Sequence, residues 1–287
     1  MTFNELYQLA KTQFKDAGIE TAALDARVLI CHHAGMDQAE FMVSQDKSVG
    51  QSVEKEIQQA LLRRIDGEPI SKILGQKEFW GLDFKVTKNT LSPRPETEIL
   101  IEQVLRWIRE QEKHEETLSI LDLGTGTGCI PIALLSELPH AKAILVDKSP
   151  SALKIAQENA EKYKMTSRVE FIESDWFTNL GDQTFDIITS NPPYISESEM
   201  ESLPKEVKNH DPILSLCGGV HGLDPYEIIF SNLNSHLKEG GCAFFEIGQN
   251  QLSDIMRLVD DSNLQLCEST KDLAGIERVV QISCGDK

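Results

Sequence analysis

Basic residues are scarce in this sequence: 46 Asp and Glu stand against 28 Lys and Arg, which gives a formal net charge of −18. Contacts with phosphate groups supply much of the affinity of proteins for nucleic acids, so this charge argues against DNA as a partner. The imbalance is concentrated in the second part of the chain. Residues 1–80 hold 9 basic and 12 acidic residues, and the remainder holds 19 and 34. A partner with a basic surface would suit that second part.

Paired cysteines and long apolar runs are also missing. The six cysteines contain no C-x-x-C pair, which excludes a zinc knuckle and a dithiol redox motif, and we expect no metal site. No apolar stretch approaches the roughly 18 residues of a membrane helix, and the N-terminus does not resemble a secretory signal. We therefore expect a cytoplasmic protein that does not bind membranes. We also expect it to be a monomer.

The length of 287 residues exceeds that of a typical single domain and favours a catalytic domain with a small additional one. Residues 1–75 show helical spacing of apolar residues, beginning with a capping box of Thr2 and Glu5, and predict a small helical bundle. Residues 76–95 combine aromatic with turn-forming residues, which predicts a hairpin-like linker. Residues 96–287 are expected to form the catalytic domain.

Strand-like and helical segments alternate from residue 118 onward. This alternation is typical of an α/β fold in which a mostly parallel sheet carries helices on both faces. The last strand-like runs follow one another closely enough to allow an antiparallel strand at the edge of the sheet.

A glycine-rich turn follows the first strand-like run of this part of the chain. It consists of Gly124, Thr125, Gly126, Thr127 and Gly128. Such a turn before a helix lets a ligand approach backbone N–H groups at the helix N-terminus. The second run ends at Asp147, whose carboxylate can accept hydrogen bonds from both hydroxyl groups of a ribose. A turn role is the alternative for this aspartate, but together the two features favour an adenosine-bearing ligand.

The tetrapeptide Asn191-Pro192-Pro193-Tyr194 follows directly after another buried strand-like run. The prolines stiffen the turn and lack N–H donors, which leaves the Asn191 side-chain oxygen and the Pro192 carbonyl as free acceptors. Two acceptors match the two hydrogens of an NH2 group. Holding both would aim its weakly nucleophilic lone pair at an electrophile, while Tyr194 presses on the planar group.

These motifs resemble those of class I S-adenosylmethionine (SAM) methyltransferases that act on planar NH2 groups. A second block is similar to the signature of the peptide-chain release factor glutamine methyltransferases, the HemK/PrmC-like family: Gly67-Glu68-Pro69, Glu78-Phe79-Trp80-Gly81-Leu82 and Pro93-Arg94-Pro95-Glu96-Thr97-Glu98. The resemblance implies a seven-stranded, mostly parallel, Rossmann-like sheet with a small N-terminal helical bundle. It also implies methyl transfer from SAM, which becomes S-adenosylhomocysteine. The acceptor would be the side-chain N5 of the glutamine in the Gly-Gly-Gln motif of class I release factors, a modification that modulates translation termination.

The resemblance further implies roles for individual residues. The turn from Gly124 to Gly128 would lie along the methionine part of SAM, Asp147 would bind the ribose, and Trp176 would lie by the adenine. Asp122 would reach the methionine amino group, directly or through water. Asn191 would contact both the cofactor and the glutamine. The residues that hold the glutamine would be Asn191, Pro192, Pro193 and Tyr194.

Several alternatives stay open from the sequence. An N6-adenine or other base-amine nucleic-acid methyltransferase could use the Asn-Pro-Pro-Tyr motif in the same way to hold an NH2 group. Such an enzyme needs a basic groove, which the negative net charge of this chain disfavours. A nicotinamide dehydrogenase shares the glycine-rich opening, and a non-catalytic SAM-binding regulator shares the loops. Arg94 and Glu96 form either a linker ion pair or a substrate contact. The N-terminal bundle either only stabilises the enzyme or, as we expect, docks the protein substrate.

Overall fold

The computed structural model describes residues 1–285, and the chain folds into two units. The first unit comprises Met1–Gln76 together with Pro204–His210. The second unit comprises Lys77–Leu203 and the chain from Asp211 onward. A short segment that follows the Asn-Pro-Pro-Tyr motif in the sequence therefore belongs to the first unit.

The first unit is built from short amphipathic helices. Its helices in Met1–Gln76 are α1 (Phe3–Asp16), α2 (Ala22–Ala34), α3 (Gln38–Val43), α4 (Gln51–Ile65) and α5 (Ile70–Leu74). The capping box predicted for α1 is confirmed, because Thr2 Oγ1 accepts from the Glu5 N–H and the Glu5 carboxylate accepts from the Thr2 N–H. Helix α5 was missed by the sequence analysis, since five residues are too few to show a helical period.

The remaining elements lie within residues 76–285. The strands are β1 (Gln76–Phe79), β2 (Leu82–Lys85), β3 (Ser119–Leu123), β4 (Lys142–Asp147), β5 (Val169–Glu173), β6 (Phe185–Ser190), β7 (Leu237–Glu246), β8 (Leu264–Lys271) and β9 (Glu277–Cys284). The helices are α6 (Glu98–Glu110), α7 (Cys129–Glu137), α8 (Pro150–Lys162), α9 (Glu197–Met200), α10 (Lys205–His210), α11 (Asp224–His236) and α12 (Leu252–Asp261). Of these helices, α10 belongs to the first unit.

Seven of the strands described within residues 1–285 form one sheet in the order β5-β4-β3-β6-β7-β9-β8, and β1 and β2 form a separate two-stranded sheet. The first five strands in this order, β5, β4, β3, β6 and β7, pair in parallel. Strand β9 is antiparallel to both of its neighbours, β7 and β8. The predicted seven-stranded, mostly parallel fold is confirmed. The expected position of the antiparallel strand is wrong, because β9 lies inside the sheet and β8 forms the edge. The more apolar strand takes the covered position: β9 buries Val279, Val280 and Ile282, whereas β8 buries Leu264.

Helices cover both faces of the large sheet. Ile120 on β3 packs into the core cluster that includes α6, α7 and α8, and the next residue, Leu121, packs into the cluster that includes α11 and α12. This alternation follows from the two-residue period of a strand. Helix α6 was not anticipated from the sequence, although its buried Leu100, Ile101, Val104 and Ile108 show helical spacing.

The register of the parallel strands places their carboxyl ends at one edge of the sheet. Leu123 at the end of β3 pairs with Val146 on β4 and with Ser190 on β6, and Ser190 pairs with Phe245 on β7. The loops that follow these strands therefore start side by side. In open parallel sheets, ligands bind at this edge.

A buried arginine organises the first unit. Arg64 on α4 donates to Asp25 Oδ2 at 2.7 Å and to Glu206 Oε1 at 2.6 Å, and its side chain is 6% exposed. Glu206 lies on α10, so this pair fastens the Pro204–His210 segment to the helices of its own unit. Within the residues described, no helix has the length and apolar character needed to cross a bilayer.

Candidate active site

A cavity of about 350 Å³ lies where the loops after β3, β4 and β6 start. Eight residues singled out from the sequence line it: Gly124, Thr125, Gly126, Thr127, Asp147, Trp176, Asn191 and Pro193. Four others, within the described chain, are not part of its wall: Asp122, Gly128, Pro192 and Tyr194. The structure thus brings together the glycine-rich turn, the strand-end aspartate and the Asn-Pro-Pro-Tyr corner.

Asp147 joins the glycine-rich turn to the start of α8. Its Oδ2 accepts from the Gly126 N–H and its Oδ1 from the Ser149 N–H, both at 2.8 Å. Burial raises the pKa of Asp147, and these backbone hydrogen bonds oppose the rise. The Lys148 N–H also interacts with this carboxylate. The lone-pair capacity that remains keeps the turn role of Asp147 compatible with binding a hydroxyl-bearing ligand.

Asp122 is a fully buried carboxyl on β3. Its Oδ1 accepts from Thr189 Oγ1 at 2.7 Å, and burial raises the pKa of Asp122 to about 7. Its Oδ2 accepts no hydrogen bond of good geometry within residues 1–285, and the nearby Thr125 hydroxyl, which lines the cavity, interacts with the carboxyl and opposes the rise in its pKa. An unpaired buried polar atom costs free energy. The Asp122 carboxyl is therefore prepared to receive a donor from a ligand.

Trp176 forms an apolar part of the cavity wall. Its backbone has a φ of 51°, and its ring atom Cζ3 lies 3.8 Å from the position that a Cβ on Gly124 would occupy. Lys148 and Asp175, which also line the cavity, form an exposed ion pair at 2.7 Å. The arrangement places a flat aromatic surface beside polar groups, which suits a planar ring with polar substituents.

The Asn191 side chain is held through a threonine and a buried glutamate. Asn191 Nδ2 donates to Thr97 Oγ1 at 3.1 Å, and Thr97 Oγ1 donates to Glu246 Oε2 at 2.6 Å. The Tyr194 hydroxyl donates to Glu246 Oε1 at 3.4 Å. Among residues 1–285, neither the Asn191 side-chain oxygen nor the Pro192 carbonyl accepts a hydrogen bond. Both acceptors that the sequence analysis expected to be free are therefore unengaged.

Thr97 and Glu246 were not assigned to the site by the sequence analysis. Thr97 was noted only as part of the signature block. The sequence does carry a signal for Glu246, because it is a charged residue at the end of an apolar run, and the structure shows it 1% exposed at the end of β7. A carboxyl in that position is rarely buried without a specific partner.

A glutamine side chain holds the backbone of the Asn-Pro-Pro-Tyr corner. Gln251 Nε2 donates to the carbonyl oxygens of Tyr194 and Gly222, at 3.0 and 3.1 Å. Gln251 Oε1 in turn accepts from the Gly248 N–H at 2.8 Å. This amide therefore ties the loop after β6, the loop before α11 and the loop after β7 to one another.

Two glycines allow this close backbone packing. A Cβ on Gly218 would lie 2.5 Å from the Pro193 carbonyl oxygen, and a Cβ on Gly222 would overlap the Tyr194 carbonyl oxygen. Gly222 also has a φ of 73°, in the left-handed region that favours glycine. A side chain at either position would push the corner away from its present place.

Arg94 also lines the cavity. It donates to Asp211 at 2.8 Å, and the Asp211 side chain is 2% exposed. The alternative of an Arg94–Glu96 linker ion pair is therefore wrong, because the partner of Arg94 comes from the loop before α11. Within the part of the chain that the structure describes, no group of three or more His, Cys, Asp or Glu side chains could hold a metal ion.

Replacing Gly222 with alanine should destabilise the protein, because the new Cβ both overlaps the Tyr194 carbonyl and strains the backbone. We expect a loss of about 2–4 kcal/mol in the free energy of unfolding, measured by urea denaturation. Gly181→Ala is the control, since Gly181 is exposed, has a φ of 60° and has no atom within 4 Å of its Cβ position. The control should lose only about 1–2 kcal/mol. Equal losses in the two variants would contradict the role of the Tyr194 contact.

Comparison with known proteins identifies the family of this chain. Two family models match it: the PrmC N-terminal domain over residues 5–75 and the methyltransferase small domain over residues 97–207. The chain is 39% identical to the release factor glutamine methyltransferase of Agrobacterium fabrum over 94% of this chain and 93% of the relative. It is 36% identical to that of Caulobacter vibrioides over 98% of this chain and 96% of the relative.

The fold is shared with more distant solved structures. A methyltransferase from Pyrococcus furiosus superposes with a TM-score of 0.52 at 15% identity, covering 78% of this chain and 98% of the other. At that identity the likeness concerns the fold alone. The identity to the two curated relatives extends over both units, and the chain belongs to the release factor glutamine methyltransferase family.

Proposed function

We propose that this protein transfers a methyl group from SAM to the side-chain N5 of the glutamine in the Gly-Gly-Gln motif of class I release factors. The observation that carries this proposal is the Asn191–Tyr194 corner. Asn191, whose side-chain oxygen is free, lines the cavity together with the glycine-rich turn, and the free Pro192 carbonyl follows it directly in the chain. The names of the relatives support the same substrate. The reaction would modulate translation termination, and since release factors act on ribosomes we place the enzyme in the cytoplasm. We further propose that it acts as a monomer.

The residues around the cavity fit SAM. The unpaired Asp122 Oδ2 suits the methionine amino group, which is a cation at neutral pH. Asp147 can accept from a ribose hydroxyl with its remaining lone-pair capacity, and Trp176 presents its ring to the adenine. When bound, SAM supplies a sulfonium methyl group that a nitrogen nucleophile can attack, which leaves S-adenosylhomocysteine.

The protein contributes mainly positioning to this reaction. An amide nitrogen is a poor nucleophile, because its lone pair is delocalised into the carbonyl. Asn191 and Pro192 each present one acceptor, and together they can hold both hydrogens of the glutamine NH2 and aim its lone pair. Tyr194 limits the tilt of the planar group. The methylated nitrogen then loses a proton to solvent, so no dedicated general base is required.

The direct test incubates the full-length protein with methyl-labelled SAM and one of three substrates: a class I release factor, its Gly-Gly-Ala version, or DNA. We expect label on the first substrate alone. Asn191→Ala should lower kcat by about 100-fold, because one acceptor for the nucleophile is lost, and should change the Kd of SAM by less than about twofold. Label on DNA or on the Gly-Gly-Ala version would refute the proposal, and an unaffected kcat would remove Asn191 from the mechanism.

The affinity for SAM should depend on pH through Asp122. Because burial raises the pKa of Asp122 to about 7, the carboxyl is largely protonated below that pH and cannot pair with the methionine ammonium. We expect binding to be weaker at pH 6 than at pH 7.5 by roughly five- to tenfold, as measured by calorimetry. Asp122→Asn should bind weakly and with little pH dependence. A variant that keeps the wild-type slope would assign the titration to another group.

We also propose that the first unit docks the release factor. One glutamine must be selected among all those in the cell, and a small cavity offers little discrimination. On α3 of this unit, Met42 and Val43 are 62% and 81% exposed. Covering these two side chains with a partner would remove apolar surface from water, which favours association.

Docking predicts that Met42→Ser/Val43→Ser lowers kcat/KM for the full-length release factor by about tenfold, because apolar contact area is lost. The same variant should leave kcat/KM for a short Gly-Gly-Gln peptide unchanged. Leu273→Ser is the matched control, since Leu273 is a fully exposed leucine of the second unit. If the double variant has the wild-type kcat/KM for both the release factor and the peptide, this surface is not the docking site.

A further inference from the structure

Glu246 is a buried carboxyl that the methyl-transfer mechanism leaves unused. It ends β7, is 1% exposed, and forms no ion pair within residues 1–285. Nearby Arg278 pairs instead with Asp272, at 2.9 Å. Burying a carboxyl without a counter-ion costs free energy, so the hydrogen bonds that Glu246 accepts must offset part of that cost.

The hydrogen bonds around Glu246 have a defined direction. Above its raised pKa of about 7, Glu246 is ionised and can only accept, so the Thr97 hydroxyl donates its one proton to Glu246 Oε2 at 2.6 Å. The Thr97 oxygen can then only accept, so the part of the Asn191 amide that faces it must be the NH2 group, at 3.1 Å. The carbonyl oxygen of the same amide is consequently turned away from Thr97.

We propose that Glu246 and Thr97 are positioning residues that fix the orientation of the Asn191 amide, so that its oxygen rather than its NH2 group faces the substrate glutamine. This inference rests on the proposed function. If the Asn191 amide were reversed, two NH2 groups would face each other. The acceptor that clamps the nucleophile would then be lost.

The position of Glu246 in the fold supports this role. In the parallel pairing of β6 with β7, Ser190 lies opposite Phe245, so Asn191, the first residue after β6, follows the same register as Glu246, the last residue of β7. The other carboxyl oxygen accepts from the Tyr194 hydroxyl at 3.4 Å. One carboxyl therefore contacts both ends of the tetrapeptide: it accepts from the Tyr194 hydroxyl at one end, and at the other it is linked to the Asn191 amide through Thr97 and by a direct interaction with the Asn191 side chain.

The backbone of Glu246 is itself fixed. Its carbonyl oxygen accepts from the hydroxyl of the fully buried Tyr226 at 2.7 Å. A carboxyl anchored in this way can impose a direction on the hydroxyl of Thr97, whereas a mobile surface carboxyl could not.

The test measures kcat, the KM for the release factor and the Kd of SAM for three Thr97 and Glu246 variants. Thr97→Val keeps the shape but removes the hydroxyl, so we expect kcat to fall by about 30-fold or more with the Kd of SAM within about twofold. Thr97→Ser should retain at least about a third of kcat. Glu246→Gln should lose less than about fivefold, because the Gln oxygen can still accept from Thr97; a loss as large as that of Thr97→Val would point to a proton-transfer role and overturn the inference.

A double variant separates positioning from a general structural effect. Since Thr97 acts through Asn191, Thr97→Val should have little further effect on kcat in an Asn191→Ala background. Equal losses in both backgrounds, or a wild-type kcat for Thr97→Val, would overturn the inference. Thr12→Val, an exposed threonine on α1, is the matched control and should leave kcat unchanged.

The hydrogen bond from Asn191 to Thr97 can also be measured without methyl transfer, through solvent exchange of the amide protons. The side-chain NH2 protons of Asn191, observed by ¹⁵N NMR in the full-length protein, should exchange with solvent faster in Thr97→Val than in the wild type and in Thr97→Ser. Inactivity of the wild-type protein toward release factors would refute the proposed function alone. Unchanged exchange in Thr97→Val would refute the hydrogen-bond chain itself.

Discussion

The parallel register of β4, β3, β6 and β7 is the constraint on which the site depends. It aligns the carboxyl ends of four strands, so that the glycine-rich turn, Asp147, Asn191 and Glu246 begin or end at one edge of the sheet. A shift of one residue in any pairing would turn the buried side chains of that strand toward the opposite face. The apolar clusters on both faces oppose such a shift, and they thereby fix the positions of the functional groups.

Two buried carboxyls near the cavity, those of Asp122 and Glu246, have the same type of hydrogen-bond partner. Asp122 and Glu246 each accept a hydrogen bond from a threonine hydroxyl, Thr189 and Thr97. Burial raises the pKa of each carboxyl to about 7. A hydroxyl partner satisfies one oxygen without neutralising the charge. The second oxygen then remains available, to a ligand in the case of Asp122 and to Tyr194 in the case of Glu246.

Local chemistry made part of this molecule predictable from sequence. The alternation of strand-like and helical runs predicted the mostly parallel sheet, and Thr2 and Glu5 predicted the first helix. The inner position of β9 depends on its being more apolar than β8. A short-range sequence pattern describes one strand at a time and does not compare the two. The signature block and the family resemblance carried most of the functional assignment.

The parts of the site that sequence reasoning missed involve contacts over long chain separations. Thr97 and Glu246 are 149 residues apart and meet only because the loop before α6 and the end of β7 adjoin. Gln251 and Tyr194 are 57 residues apart. Such residues belong to no local motif, because each takes its role from a hydrogen bond to a partner that is distant in the sequence.

In the proposed reaction, Asn191 and Pro192 hold both hydrogens of a glutamine amide and direct its nitrogen at the methyl donor. This arrangement can be examined in a crystal structure of the full chain with S-adenosylhomocysteine and a Gly-Gly-Gln peptide. We expect the glutamine NH2 group to lie within hydrogen-bonding distance of the Asn191 side-chain oxygen and the Pro192 carbonyl, with the nitrogen facing the sulfur. A glutamine side chain bound elsewhere, or a corner turned away from the sulfur, would contradict it.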